Sequence, residues 1–180
     1  SRIQDMLENQ SNFVCLITGP MGAGKSSVSN ALANKFARSA VIEVDKLRGM
    51  IKGGFVKPSP YTNEVDLQLS LSVKNACDMA DNFLEKGFNV FIDGIVGRKL
   101  LNQYSTFFKD KNFKAFLLLP SSEALLARFD HRGDYVELRE RAVELHKIFS
   151  EKRDQLNLQT IDSSGQSLEE TVEQIYKEII

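Results

Sequence analysis

Apolar residues along this chain fall into two alternating kinds of run. The first kind is short and continuous: Phe13-Val14-Cys15-Leu16-Ile17, Ala40-Val41-Ile42-Glu43-Val44-Asp45, Phe88-Asn89-Val90-Phe91-Ile92-Asp93, Phe113 to Leu119, and Leu158 to Asp162. Runs of this length, bounded by Gly, Pro or acid, predict β-strands buried on both faces. The second kind recurs every three or four residues and predicts helices. Val28, Leu32 and Phe36 form one stripe; Leu69, Val73, Ala76, Ala80, Phe83 and Leu84 form another over about 63–86, closed by Gly87. Leu101, Tyr104 and Phe108 predict a helix over 98–111. Ser121 or Ser122 caps one running to about Arg128, and residues 129–135 break the pattern. Leu138, Ala142, Leu145 and Phe149 predict a helix over about 136–153. Ser167-Leu168-Glu169-Glu170 is a capping box opening a last stripe of Leu168, Val172, Ile175 and Ile179. Ile3, Met6 and Leu7 hint at a leading half-helix. Five strands alternating with helices predict an α/β fold, a mostly parallel sheet with helices on both faces. Two glycines and two prolines within residues 53–60 exclude regular structure there and mark an excursion over about 46–62.

Composition adds bounds. The chain has 180 residues, one domain's length, enough to bury roughly 70% of its unfolded surface. Net charge is −1, which gives no electrostatic footprint for duplex nucleic acid or an anionic membrane. Cys15 and Cys77 fall in a predicted strand and helix, as core residues of a reducing compartment rather than a disulfide framework. No apolar run approaches the ~20 residues of a membrane span, and residues 1–12 lack the apolar core of a signal peptide. The expectation is a cytoplasmic monomer or weak dimer.

The chemistry begins between the first strand and first helix, at Gly19-Pro20-Met21-Gly22-Ala23-Gly24-Lys25-Ser26, followed by Ser27. This is G-x-x-x-x-G-K-[ST], whose glycines turn the backbone so that successive N–H groups face phosphates. Lys25 reaches the β- and γ-phosphates, Ser26 ligates Mg²⁺, and the following helix points its N-terminus at the anion. In parallel sheets ligands sit beyond the strand carboxyl ends, so Gly19, Asp45, Asp93 and Ser163 converge on one mouth. Asp45 is a candidate general base for an acceptor hydroxyl, or the cap of the helix after it. Glu43, two residues earlier on the same strand face, is a second candidate near the metal. Asp93 is a candidate metal or substrate contact, with Gly94 and Arg98 beside it, or a turn-forming Asp-Gly. Arg128 and Arg132 sit on a segment, about 128–137, that can close over a nucleotide as a lid. Arg48 offers a fork for an anion in the excursion. No His/Cys spacing suits zinc.

With these residues in place the chain resembles the small P-loop kinases of the nucleotide and shikimate kinase type. Within them it is most similar to the chloramphenicol phosphotransferase-like and small AAA-type kinases. The resemblance spans nearly the whole chain and rests on the P-loop, on Val44-Asp45-Lys46-Leu47-Arg48 (D-x-x-R) and on Phe91-Ile92-Asp93-Gly94-Ile95-Val96-Gly97. It implies strand order 2-3-1-4-5, ATP and Mg²⁺ as cofactors, Asp45 as base, and Arg128 and Arg132 over ATP. Arg98 stands one position away from its place in the adenylate kinase D-G-F-P-R stretch, and the Phe-Pro is absent, which argues against a nucleoside monophosphate acceptor. The His-Pro-rich segment of gluconate kinases is also missing. Three functions accommodate the residues. One is phosphoryl transfer to a small hydroxylated molecule (a metabolite, a sugar acid such as gluconate, or an antibiotic). The second is a 5′-hydroxyl polynucleotide kinase. The third is a nucleotide-dependent ATPase or switch without an acceptor, whose excursion binds a partner protein.

Overall fold

The computed structural model describes residues 12–132 and 136–180; the expected half-helix over 1–11 and the side chains of His131 and Arg132 lie outside that description. The chain forms a five-stranded parallel sheet in the order β2-β3-β1-β4-β5, with β1 Phe13–Thr18, β2 Ser39–Glu43, β3 Asn89–Asp93, β4 Asn112–Leu118 and β5 Gln159–Ile161. The helices are α1 Lys25–Ala33, α2 Val44–Arg48, α3 Asn63–Glu85, α4 Arg98–Phe107, α5 Ser122–Arg132, α6 Val136–Leu156 and α7 Leu168–Ile179.

β1 is central because every one of its residues is buried. Its side chains alternate between two cores, as the pleat requires. Phe13, Cys15 and Ile17 meet Val28 and Leu32 of α1, Leu125 and Phe129 of α5, and Val172 and Ile175 of α7. Val14 and Leu16 meet Val73, Ala76 and Cys77 of α3, Leu101 and Tyr104 of α4, and Phe149 and Leu156 of α6. Both cysteines are free and buried. The capping box at Ser167 and Glu170 forms with both its hydrogen bonds. Ser121 caps α5, its hydroxyl accepting from the Ala124 N–H at 3.2 Å.

Several expected boundaries shift. β2 ends at Glu43, and Val44 and Asp45 already belong to α2, so the strand alternation expected to put Glu43 and Asp45 on one face does not apply. α1 ends at Ala33, yet Phe36 still packs beyond it, 5.1 Å from the Phe13 ring. α5 runs on to Arg132 where a break at 129 was expected, because Leu125 and Phe129, one turn apart, are both buried. Residues 133–135 of the expected lid lie outside the described residues. Leu138 and Leu168, expected inward, are 40% and 48% exposed; Thr171 takes the inner position in α7. Among the described residues no helix is long and apolar enough to cross a membrane.

Candidate active site

The loop between β1 and α1 is held open by its own backbone. Gly22 and Gly24 have φ of +84° and +93°, a left-handed conformation that side chains disfavour. A Cβ at Gly19 would stand 2.2 Å from the Leu118 carbonyl oxygen, and one at Gly22 would stand 2.1 Å from the Phe129 ring. Gly24 caps α1 without a side-chain hydrogen bond, so the helix presents its first N–H groups to the loop's hollow. Lys25 Nζ donates to the Pro20 carbonyl oxygen at 3.0 Å. Burial lowers the Lys25 ammonium pKa, while the charges of Asp93 and Asp45 raise it.

The acids reach this lysine because the strand ends are level. In the parallel register Ile17 pairs with Asp93, and Asp93 with Glu43. Asp93 is buried, and its carboxylate accepts from the Ser26 hydroxyl at 2.6 Å. Burial raises the Asp93 pKa; Ser26 and Lys25 hold it down, and Asp45 and Glu43 push it further up. Glu43 is engaged by an ion pair with Lys46. Asp45 stands exposed in the first turn of α2. Gly94 is buried against Val44. The Val96 N–H donates to the Thr18 hydroxyl at 3.0 Å, which pins the segment after Asp93 to the end of β1.

On the other side of the loop, Arg128 bridges two elements. Its Nη1 donates to the Ala23 carbonyl oxygen at 3.0 Å and its Nη2 to the Ser163 hydroxyl at 3.4 Å. Between them and the start of α7 lies a cleft of about 270 Å³, lined by Gly24, Ser27, Val28, Arg128, Gln166 and Leu168 among others. Pro20 and Met21 complete the loop, and the Met21 side chain packs on the adjoining core.

The excursion after α2 is built, although it has no regular structure. Gln68 of α3 is 3% exposed and clamps it. Its amide donates to the Gly54 carbonyl oxygen at 2.8 Å and to Glu64 at 2.9 Å, and accepts from the Val56 N–H at 3.1 Å. Arg48 lies 5.5 Å from the Phe55 ring centroid, and its Nε is buried without a hydrogen-bond partner among the described residues. Arg98 is exposed at the first turn of α4, where it lines a separate apolar cleft with Leu145, Phe149 and Lys152 of α6.

Lys25, Ser26, Asp93, Asp45 and Glu43 thus share one mouth, Arg128 closes its flank, and Arg98 stands apart. Ser163 lies at the mouth as expected; Thr18 and Gln68 are the partners that sequence patterns under-read. Gln68 had a legible signal, a polar residue one turn from Val65 and Ser72 on a buried helix face. Thr18, just past the run Phe13–Ile17, had no such signal.

Residues 15–154 match the model of a family described as an AAA domain. No curated protein sequence matches the chain. Among solved structures, the fold is similar to a gluconokinase from Sinorhizobium meliloti 1021, with TM-score 0.69, 18% identity, and 95% of this chain and 93% of that one covered. It is similar to the tunicamycin resistance protein of Deinococcus radiodurans, with TM-score 0.68, 18% identity and coverage of 93% and 95%. It is also similar to the shikimate kinase of Acinetobacter baumannii in complex with shikimate, with TM-score 0.62, 19% identity and coverage of 94% and 93%. The strand order is the one the P-loop kinase resemblance implies.

Proposed function

The chain belongs to the AAA domain family, and from that premise we propose that it is a kinase. In this reading one domain, residues 1–180, moves the γ-phosphoryl group of ATP to a hydroxyl of a small molecule. The observation that carries the reading is the meeting of Lys25 and the Ser26–Asp93 hydrogen bond beyond the ends of β1 and β3, with Asp45, in the first turn of α2 after β2, close enough for its charge to act on Lys25. A phosphate cradle alone serves any nucleotide protein; a carboxylate standing free opposite it gives an acceptor hydroxyl somewhere to lose its proton.

The roles follow from the positions. The loop Gly19 to Ser27 holds the triphosphate through the N–H groups of Met21 to Ser27, and Lys25 leaves the Pro20 carbonyl for the β- and γ-phosphates. The base side of the nucleotide takes the cleft beside Arg128, Gln166 and Leu168. The acceptor lies between Asp45, Arg48 and Gly94, with the 46–62 excursion around it. Asp45 orients the acceptor hydroxyl and takes its proton as the hydroxyl oxygen bonds to phosphorus and the bond to the ADP oxygen breaks. Arg128 and Arg132 close over the charge from the 128–137 lid. The domain works in the cytoplasm on a small acceptor rather than on nucleic acid.

Mg²⁺ fits this chemistry. Ser26 and Asp93 supply two hard oxygen donors 2.6 Å apart beside the phosphate loop. Among the described residues no group of three or more His, Cys, Asp or Glu is arranged to hold a metal. When bound, the ion neutralises charge on the β- and γ-oxygens.

The test is a mass-spectrometric screen of ATP, Mg²⁺ and a panel of hydroxylated metabolites, sugar acids and antibiotics, followed by Asp45→Asn with the acceptor found. Transfer should fall roughly 10²–10⁴-fold while ATP binding persists. Full transfer by D45N removes Asp45 as the base. Absence of ATP binding by the parent protein removes the kinase reading.

A further inference from the structure

The cleft that Arg98 lines lies outside the phosphate loop and its acids. One wall is the segment from Ile95 to Arg98, where the chain leaves β3 and enters α4; the other is a face of α6. Leu145, Phe149, Lys152 and Leu156 recur on that face at helical spacing and form one stripe. Leu145, Phe149 and Leu156 are buried in the core, while Ile148 beside them keeps 37% of its surface exposed. The first wall is fixed in advance, because the Val96 N–H donates to the Thr18 hydroxyl at 3.0 Å. The space between the walls is about 110 Å³. An apolar cavity of about 150 Å³ takes up benzene, so this cleft has room for an aliphatic body of about four or five carbons and is too small for a nucleobase.

The charge on the lining is all positive. Arg98 and Lys152 contribute it from opposite walls, Gln155 is the one neutral polar side chain, and no acid lines the cleft among the described residues. Other cations on the same two helices are paired: Lys99 with Asp66 at 2.6 Å, and Arg141 with Glu144 at 3.1 Å. Arg98 and Lys152 have no hydrogen bond or ion pair among the described residues. Two unpaired cations over low-dielectric walls focus a field that favours an anion. The apolar walls favour a carbon chain on the same molecule.

We propose that this cleft is a binding site for a small aliphatic carboxylate. Its chain lies against Ile95, Leu145, Ile148 and Phe149, and its two oxygens accept from Arg98 and Lys152, one each. An inorganic anion gains nothing from the walls, and a neutral hydrocarbon leaves both cations unpaired, so the cleft suits a molecule that has both parts. The site does not rest on the kinase reading.

The experiment titrates the full chain with butanoate, pentanoate, hexanoate and octanoate, and with hexanamide as the neutral counterpart, while methyl and amide NMR shifts are followed. The expected result is saturable binding in the millimolar range. It should tighten about fourfold per added methylene up to hexanoate, and no further once the cleft is full. Hexanamide should bind about tenfold more weakly, as for loss of a hydrogen bond to a charged group. Nuclear Overhauser contacts should join the terminal methyl of hexanoate to Leu145 and Ile148. Arg98→Gln combined with Lys152→Gln should lower hexanoate affinity to that of hexanamide, with hexanamide binding and the unliganded melting temperature unchanged, since both side chains are exposed. Four outcomes overturn the proposal: no saturable binding of hexanoate, equal affinity for hexanamide, contacts to the phosphate loop in place of α6, or a double variant that binds hexanoate as the parent does. A gain that continues unbroken through octanoate overturns it too, because it reports an open surface rather than a closed cleft. None of these outcomes bears on phosphoryl transfer, so the kinase reading stands or falls separately.

Discussion

Gly22→Ala tests the contact that joins the phosphate loop to α5. Two penalties add at this residue. Its φ of +84° is left-handed, which costs a residue with a Cβ roughly 1–2 kcal/mol. The new methyl would also stand 2.1, 2.9 and 3.0 Å from three carbons of the Phe129 ring, inside van der Waals contact. Phe129 is 4% exposed and cannot swing into solvent without vacating the core beside Leu125 and Ile161. Overpacking of this kind costs about 1–3 kcal/mol. The sum, roughly 2–5 kcal/mol, corresponds for a chain of this size to a fall in melting temperature on the order of 10 °C. Function should fall with it, because relief of the overlap moves α5 and Arg128 precedes Phe129 by one residue. Thermal denaturation measures the first effect, and titration with a fluorescent ATP analogue the second. Phe129→Leu in the Gly22→Ala background should recover the steric part and leave the backbone strain, a coupling of about 1 kcal/mol or more in the double-mutant cycle. A single Gly22→Ala variant within about 0.5 kcal/mol of the parent, or a Phe129→Leu partner that recovers nothing, would refute the reasoning.

Two other perturbations reach different parts of the site. Asp93→Asn should stabilise the free protein near neutral pH. Burial raises the Asp93 pKa above its ordinary 3.8, so its contribution favours folding below that value and is lost as pH rises through the raised one. The gain in melting temperature over the parent should therefore shrink as pH falls below about 4, and a gain that is flat with pH would contradict the assigned cause. Gln68→Leu should cost about 1–3 kcal/mol, because the Val56 N–H and Gly54 carbonyl lose their partner. Hydrogen exchange should quicken in residues 50–62 while β1 stays protected, and unchanged exchange there would mean that the excursion does not depend on Gln68.

Much of the donor side was legible along the chain. The P-loop residues are contiguous, so their spacing is a local property, and the strand before them and helix after them follow from local apolar periodicity. The strand order was implied by the P-loop kinase resemblance, and the meeting of Asp93 with the loop followed once the sheet was parallel. Boundaries near the mouth were less legible. β2 stops at Glu43 because the chain turns into α2 there, and an apolar Val44 reads equally well as strand or helix. α5 continues through Phe129 because a ring buried against the phosphate loop outweighs the polar residues around it, a tertiary effect that no window of the sequence contains.

The sequence by itself determined the alternation of strands and helices, the phosphate loop, and the acids at the strand ends, since each depends on neighbours within a few residues. The tertiary structure alone decided that Ser26 engages Asp93, while Glu43 is engaged locally by Lys46 three residues on and no hydrogen-bond or ion-pair partner of the Asp45 carboxylate occurs among the described residues. It also decided that Arg128 spans Ala23 and Ser163 while Arg98 lines a different cleft, and that Gln68 clamps the excursion. The Gln68–Val56 and Arg128–Ala23 contacts join residues 12 and 105 positions apart, and they depend on sheet register and helix packing rather than on any local pattern.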